Sequence, residues 1–167
     1  MTASATAPRL WDRPLVDFPN LLHLAPPICH PDDSVEAVIA VFSADPGARS
    51  VFVVDTGDHI LGAIPERILD RDLMTMVLPQ ELWSSVGDLD TRELMRFAKG
   101  SFRRARDLMS SARSVSASSR LRDAVSVMGR HGEAVVALVD DDHRLIGYLT
   151  MFEVLAELMA GQPHIPS

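Results

Sequence analysis

The sequence predicts an α+β fold of two similar units, each a short β segment followed by a helix, two strands and a second helix, packed as a pseudo-twofold pair. Two observations predict this architecture. An apolar pattern with helical spacing at 35–42 recurs at 121–128, and β-branched runs of buried-strand length follow at 50–54 and 134–139. Because a unit of roughly 60 residues buries too little of its surface alone, the two units are expected to pack together.

The first helix of each unit is predicted from apolar residues at positions i, i+3, i+4 and i+7, which form one buried face. Asp33 precedes the first of these helices and Glu36 follows three residues later, which favours an N-terminal capping box. Ser119 holds the matching place before the second helix. Turns that contain glycine or proline, at 46–47 and 129–132, are expected to end the two helices.

The strand pair of each unit is predicted to turn at a cluster of acidic residues, 55–58 in the first unit and 140–143 in the second. A second strand follows each turn, at 60–64 and 144–149, and a second helix begins directly after it. The chain is therefore expected to form the same strand-to-helix corner twice.

The predicted organisation has five segments. They are an irregular N-terminal segment (1–19), a first repeat (20–80), an inter-repeat linker with a short helix (81–102), a second repeat (103–160) and a tail (161–167). The proline-rich N-terminal segment is expected to wrap the body of the protein or a partner. The apolar stretch before the short helix is expected either to cover a cleft or subunit contact or to pack on its own domain.

Composition excludes several classes of protein. Hydrophobic residues make up 47% of the chain and charged residues 23%, so wholesale disorder is not expected. The sequence shows no signal-peptide pattern and no run of about 18 apolar residues, which predicts a cytoplasmic protein without a membrane span. It contains no nucleophile with a credible base, no phosphate-binding loop and no zinc-protease motif, so the protein is predicted not to be an enzyme.

The net charge of −7 is unevenly distributed along the chain. Ten basic residues and only three acidic residues fall within 92–130. The overall acidity argues against a general nucleic-acid binder, while the basic stretch leaves a contact with phosphate groups open. The other interpretation of this stretch is a solvated face that pairs with the acidic segments.

No metal site is predicted. Three consecutive carboxylates at 140–142 converge poorly on one ion, and an acidic turn between strands accounts for them. His23, Cys29 and His30 lack both the paired spacing of zinc ligands and a fourth ligand, so they are interpreted as loop and edge residues.

The second half of the chain resembles a known family. Residues 105–159 contain "RDLM" ahead of the repeat, a capped helix, a strand that ends in Val139-Asp140, and "LIGYLT" ahead of the last helix. These features resemble a CBS domain, and "VFVVD" and "ILGAI" in the first half resemble one too. The whole chain is similar to a tandem CBS pair, or Bateman module. The resemblance implies a regulatory, dimeric protein that holds an adenosine-containing ligand in the cleft between its repeats.

The resemblance also implies a ligand site at the second corner. In nucleotide-binding members a Ser or Thr after the strand contacts phosphate, and an Asp three residues later takes the ribose hydroxyls. Here Thr150 matches the first position and Glu153 replaces the Asp, while Pro65 and Ile68 hold these positions in the first corner. The ligand-binding residues that the resemblance implies are Gly147, Tyr148, Thr150 and Glu153, with Arg113, Ser114 and Val115 from the preceding segment.

Thr150 and Glu153 also have a purely structural interpretation. A helix N-terminus offers free backbone N–H groups and a partial positive charge, which suit a phosphate. The two residues equally match the T-x-x-E capping box, in which side chains satisfy these same backbone groups. The sequence leaves both roles open, and the two can coexist.

The function predicted from the sequence is a stand-alone regulatory CBS-pair module that senses a small ligand. The expected ligand is an adenine nucleotide (AMP, ADP or ATP) or another adenosyl compound, with no obligatory cofactor. The expected partners are a second copy of the chain and an unidentified target protein, and neither a membrane nor nucleic acid is expected. Two alternatives are a ligand-free dimerisation or protein-interaction module, and a nucleic-acid-associated protein. The latter requires Arg103, Arg104 and Arg106 on one exposed face.

Overall fold

The computed structural model describes two stretches of the chain, 9–68 and 104–160. The predicted linker 81–102 and tail 161–167 lie outside these described residues. The described residues divide into two compact units. We call them the first-repeat unit, 27–68 with 104–112, and the second-repeat unit, 9–26 with 113–160.

Each unit combines one repeat with the segment that precedes the other repeat along the chain. The stretch 20–26 lies in the second-repeat unit, and 104–112 lies in the first-repeat unit. The sequence-based boundaries instead kept each of these stretches with the repeat that follows it. Backbone hydrogen bonds explain this arrangement. His23 pairs with Tyr148 in the last strand of the second repeat, and Ser110 pairs with Ala63 in the last strand of the first repeat.

The first-repeat unit follows the predicted order of elements. Its described elements are β1 (Ile28–Cys29), α1 (Val35–Ala44), β2 (Ser50–Val54), β3 (Ile60–Pro65), α2 (Glu66–Ile68) and α3 (Ala105–Leu108). β2 is the central strand of its sheet, parallel to β1 and antiparallel to β3. Val38 of α1 packs in one hydrophobic cluster with Val51 and Val53 of β2, so the apolar stripe of this helix is buried against the sheet.

The second-repeat unit has the same order of elements after its N-terminal segment. That segment forms three short 3-10 helices (Leu10–Asp12, Leu15–Asp17 and Pro19–Leu21), and the repeat comprises β4 (Ser114–Ser116), α4 (Leu121–His131), β5 (Val135–Val139), β6 (Leu145–Thr150) and α5 (Met151–Ala160). β5 is central, parallel to β4 and antiparallel to β6. Leu15, Phe18 and Leu21 are buried in one cluster with residues of α4, β5 and β6, so the N-terminal segment supplies part of the core.

The two sheets share a local irregularity as well as their strand order. In each sheet the antiparallel pair shifts its register at the end of the central strand, between Val53 and Val54 and between Leu138 and Val139. These are equivalent positions of the two repeats. The predicted α+β fold, with two repeats of the same element order, is confirmed.

Helix α1 begins one residue later than predicted. Ser34 precedes it, and the Ser34 hydroxyl accepts a hydrogen bond from the Ala37 N–H at 3.3 Å. The Asp33 carboxylate accepts from the His30 N–H at 2.7 Å and so belongs to the preceding turn. The prediction of Asp33 as the cap was wrong because either residue type can cap a helix, and the backbone course decided between neighbours.

Helix α4 also begins one residue later than predicted. Arg120 precedes it, in place of Ser119, and the Asp123 carboxylate accepts the Arg120 N–H at 2.9 Å. A carboxylate in the first turn is favourable at the positive end of a helix dipole. The first turn of α4 is therefore stabilised from within the helix.

Candidate functional site

Strand β6 ends and helix α5 begins at the second predicted corner. Thr150 is the last residue of the strand, and its hydroxyl donates a hydrogen bond to Glu153 Oε2 at 2.6 Å. The Glu153 N–H in turn donates to Thr150 Oγ1 at 3.4 Å. The two residues therefore make a capping contact, as the T-x-x-E pattern predicts, and both stay partly exposed at the start of the helix.

A third side chain, that of His23, joins this corner from the N-terminal segment. Its Nε2 lies 2.7 Å from Oε1 and 2.8 Å from Oε2 of Glu153. Its ring stacks on the ring of Tyr148, with centroids 4.5 Å apart and planes inclined by 15°. The sequence predicted a loop or edge position for His23 and missed this contact, because 130 residues separate it from Glu153 and no local pattern links them.

Backbone contacts hold His23 beside β6. Its N–H donates to the Tyr148 carbonyl and its carbonyl accepts from the Tyr148 N–H, both at 3.1 Å. A Cβ atom at Gly147 would lie 2.7 Å from the His23 carbonyl oxygen, closer than real contacts allow. The N-terminal segment can therefore pair with β6 because residue 147 is glycine.

The same backbone contact occurs in the first-repeat unit. Ala63 and Ser110 exchange two hydrogen bonds of 2.9 Å, and a Cβ atom at Gly62 would lie 2.7 Å from the Ser110 carbonyl oxygen. Ser110 thus holds the position that His23 holds in the second-repeat unit. Close backbone approach explains why both corners contain a glycine, although only the second corner has a histidine opposite it.

The Glu153 carboxyl is ionised at neutral pH. Partial burial by itself raises its pKa, but hydrogen bonds from Thr150 and His23, together with the charge of His23, outweigh burial and lower the pKa below its ordinary value. An ionised carboxylate accepts hydrogen bonds and donates none. The corner therefore suits a ligand that presents O–H or N–H donors.

The structure separates the implied ligand-binding residues into two groups. One group lies at the corner and comprises Gly147, Tyr148, Thr150 and Glu153. The other group lies on or next to β4, which pairs with β5, so two strand spacings of about 5 Å each separate it from β6. Within it, Arg113 and Ser114 are exposed, while Val115 is buried in the hydrophobic cluster. The structure thus adds His23 to the corner group and places the β4 group at the opposite edge of the sheet.

Comparison with known proteins finds a family match in the second repeat. The family model of the CBS domain matches residues 105–160. This match covers the second repeat, which is therefore similar to a CBS domain. A search of curated proteins found no match to the sequence.

Solved structures extend the CBS assignment to both repeats at the level of the fold. A CBS domain-containing protein from Thermotoga maritima is 20% identical and superposes with a TM-score of 0.67, covering 92% of this chain and 99% of that chain. CBSX2 from Arabidopsis thaliana, in complex with AMP, is 21% identical, with a TM-score of 0.67 over 90% of this chain and 99% of that chain. The CBS domain pair of MJ0100, in complex with 5′-methylthioadenosine and S-adenosyl-L-methionine, is 14% identical, with a TM-score of 0.60 over 88% and 99%. The predicted tandem CBS fold is confirmed.

The first repeat ends in a chemically different corner. Pro65 is the last residue of β3 and lies opposite Ser50, whereas the sequence predicted it in the first turn of the next helix. An edge strand tolerates proline because its missing N–H need not pair. Helix α2 begins at Glu66, whose N–H donates to the Arg49 carbonyl at 3.0 Å. This corner has neither the hydroxyl nor the carboxylate of the second, since Pro65 and Ile68 stand in their places.

The single cysteine of the chain, Cys29, is poorly suited to nucleophilic chemistry. Cys29 is buried in β1, and burial, followed by the charge of Asp33, raises its pKa to about 11. Its thiol therefore stays protonated at neutral pH. Within 9–68 and 104–160, no three His, Cys, Asp or Glu side chains are arranged to hold a metal ion. Over the same residues, no helix is both long and apolar enough to cross a lipid bilayer.

Proposed function

We propose that this CBS pair is a regulatory module that binds a small adenosine-containing ligand at the second corner and passes its occupancy to a partner protein. The observation that carries the proposal is the contact between Thr150 and Glu153, a hydroxyl and an ionised carboxylate 2.6 Å apart at the start of α5. The complexes of CBSX2 with AMP and of the MJ0100 pair with 5′-methylthioadenosine and S-adenosyl-L-methionine support an adenosyl ligand. In this proposal the protein regulates and does not catalyse.

Each part of the corner suits one part of such a ligand. The ten-residue helix α5 places the partial positive charge of its N-terminus next to Thr150, where a phosphate is favoured. The Glu153 carboxylate can accept hydrogen bonds from the two hydroxyls of a ribose. Hydrogen bonds to charged groups contribute about 1.5–3 kcal/mol each, so the two residues can supply measurable affinity.

Adenine nucleotides are expected to stabilise the wild-type protein against unfolding. A ligand at about 100 times its dissociation constant raises the free energy of unfolding by roughly 2.7 kcal/mol, which a thermal-shift panel of AMP, ADP, ATP and S-adenosyl-L-methionine detects. Glu153→Gln keeps the side-chain length and removes the charge. It is expected to weaken nucleotide binding about tenfold in calorimetry, since it removes one charge-assisted hydrogen-bond partner of the ribose.

The matched control is Glu157→Gln, which makes the same change of charge one turn further along α5 and is expected to leave the affinity unchanged. Thr150→Ala is a weaker probe alone, because loss of a helix cap costs about 1 kcal/mol of stability without any ligand. The site assignment is wrong if a nucleotide binds the wild type and if folded Thr150→Ala and Glu153→Gln variants bind it equally well. Absence of any nucleotide-induced stabilisation contradicts the proposed function itself.

The exposed face of α5 favours a second candidate function, an interaction module that acts without a ligand. Phe152, Leu155 and Met159 recur with helical spacing on this face and are 73%, 45% and 76% exposed. The helix faces at 35–42 and 121–128 bury their apolar residues within their own units. The α5 face is therefore the apolar helix surface that we propose for dimerisation.

The protein is expected to form a homodimer through the α5 face. Light scattering coupled to gel filtration is expected to give a mass of twice 18.3 kDa for the wild type. The double variant Phe152→Glu/Met159→Glu is expected to give a monomer, because it places like charges on the apolar face of both copies. Leu24→Glu, which changes another exposed leucine outside this face, serves as the control and is expected to stay dimeric. A wild-type mass of 18.3 kDa contradicts the proposal.

The nucleic-acid alternative has less support. Arg103 lies outside the described residues, and Arg104 and Arg106 both form ion pairs with Asp32 in the first-repeat unit. These two guanidinium groups are thus partly neutralised by a structural contact. Ligand sensing and dimerisation are therefore better supported than nucleic-acid binding.

A further inference from the structure

His23 occupies the part of the corner that a ribose would use. Its Nε2 lies within 2.8 Å of both carboxylate oxygens of Glu153, so one imidazole N–H is shared between the two acceptors. A ribose diol needs these same oxygens in order to donate its two hydrogen bonds. The imidazole and a diol therefore compete for one carboxylate.

The fold does not require an imidazole at this position. The N-terminal segment pairs with β6 through backbone groups, and the equivalent pairing in the first-repeat unit is made by Ser110. Buried side chains of Leu15, Phe18 and Leu21 anchor the segment independently of His23. The His23 and Glu153 side chains are each 37% exposed, and ion pairs this accessible to solvent stabilise a fold little. The fold therefore does not depend on the contact between the His23 imidazole and Glu153, and this contact can serve ligand recognition.

We propose that His23 is a specificity-determining residue of the second corner, where it competes with the ribose diol for Glu153 and so weakens the binding of nucleosides and nucleotides. This inference rests on the proposed function, since it concerns the same site. The stacked ring of His23 also covers one face of Tyr148, at a centroid distance of 4.5 Å. A ligand that binds Glu153 must displace the imidazole from its contacts with Glu153 and Tyr148. A higher ligand concentration is therefore needed to occupy the site.

The test compares AMP with 2′,3′-dideoxy-AMP, which lacks the diol, in isothermal calorimetry. His23→Ser introduces the residue that the first-repeat unit has at the equivalent position, and it keeps the backbone pairing. We expect His23→Ser to bind AMP about tenfold more tightly than the wild type, and to bind 2′,3′-dideoxy-AMP with unchanged affinity. The double variant His23→Ser/Glu153→Gln is expected to lose the gain. Ser110→Ala is the control at the equivalent position and is expected to bind AMP as the wild type does.

The outcomes separate this inference from the proposed function. Equal or weaker AMP binding by a folded His23→Ser variant, with the wild type still binding AMP, overturns the role of His23 alone. An equal gain for AMP and 2′,3′-dideoxy-AMP also overturns it, because competition with the diol then plays no part. If neither the wild type nor any variant binds AMP, both the proposed adenosyl site and the role of His23 are wrong. Circular dichroism melting of each variant confirms that it is folded.

Discussion

Leu15→Ala is expected to lower the free energy of unfolding by about 2–5 kcal/mol, as is usual for removal of a fully buried leucine side chain. Leu15 is 0% exposed and packs in the core of the second-repeat unit with Leu121 and Leu149, although more than a hundred residues lie between them in the chain. Urea unfolding monitored by circular dichroism measures the loss. The result would show that the N-terminal segment is part of the second-repeat core.

Val16→Ala provides the matched control for this experiment. Val16 is the next residue of the same 3-10 helix and is 57% exposed, so its truncation removes little buried surface. Surface substitutions of this kind usually change stability by no more than about 0.5 kcal/mol. Equal stability losses for Leu15→Ala and Val16→Ala would contradict the docking of the segment. A large loss for Leu15→Ala alone would support it.

Gly147→Ala is expected to destabilise the protein by about 1–3 kcal/mol, the usual cost of forcing extra volume into a packed site. The added methyl group would lie 2.7 Å from the His23 carbonyl oxygen, which belongs to the backbone and cannot rotate away. The N-terminal segment must therefore move off β6, and the two hydrogen bonds between His23 and Tyr148 are strained or lost. Thermal unfolding measures the effect, and amide hydrogen exchange at Tyr148 locates it.

Gly129→Ala is the control for the glycine substitution. Gly129 lies within helix α4, and a Cβ atom there meets nothing within 4 Å. Alanine in a helix interior is more favourable than glycine by roughly 0.5–1 kcal/mol, so this variant is expected to be more stable than the wild type. The opposite signs of the two effects are the diagnostic result. A stable Gly147→Ala variant would show that the backbone approach of His23 to β6 is not tight.

The helices and strands of both repeats could be predicted because their signals are local. Apolar spacing at 35–42 and 121–128 marks a helix face, and a β-branched run at 134–139 marks a buried strand, observed at Val135–Val139. The errors were also local. The first helices begin one residue later than predicted, and Pro65 ends a strand instead of opening a helix, because a sequence pattern fixes a helix start only to within one or two residues.

The candidate site could be predicted in part for the same reason. Thr150 and Glu153 are three residues apart, so one turn of helix brings them together and a short motif reveals them. The sequence shows a glycine at each corner, but it does not show why a glycine is needed there. The reason is the carbonyl oxygen of His23 or Ser110, which arrives from a distant part of the chain.

The amino-acid sequence is sufficient to specify the element order, the repeat, the CBS resemblance and the Thr150–Glu153 pair, since periodicity and capping depend on a few neighbouring residues. The placement of His23 against Glu153, and of Leu15 in the second-repeat core, depends on long-range contacts. Such contacts form when buried apolar surface and complete backbone pairing offset the entropy of closing a long loop. That balance is a property of the folded chain as a whole, and no short stretch of the sequence contains it.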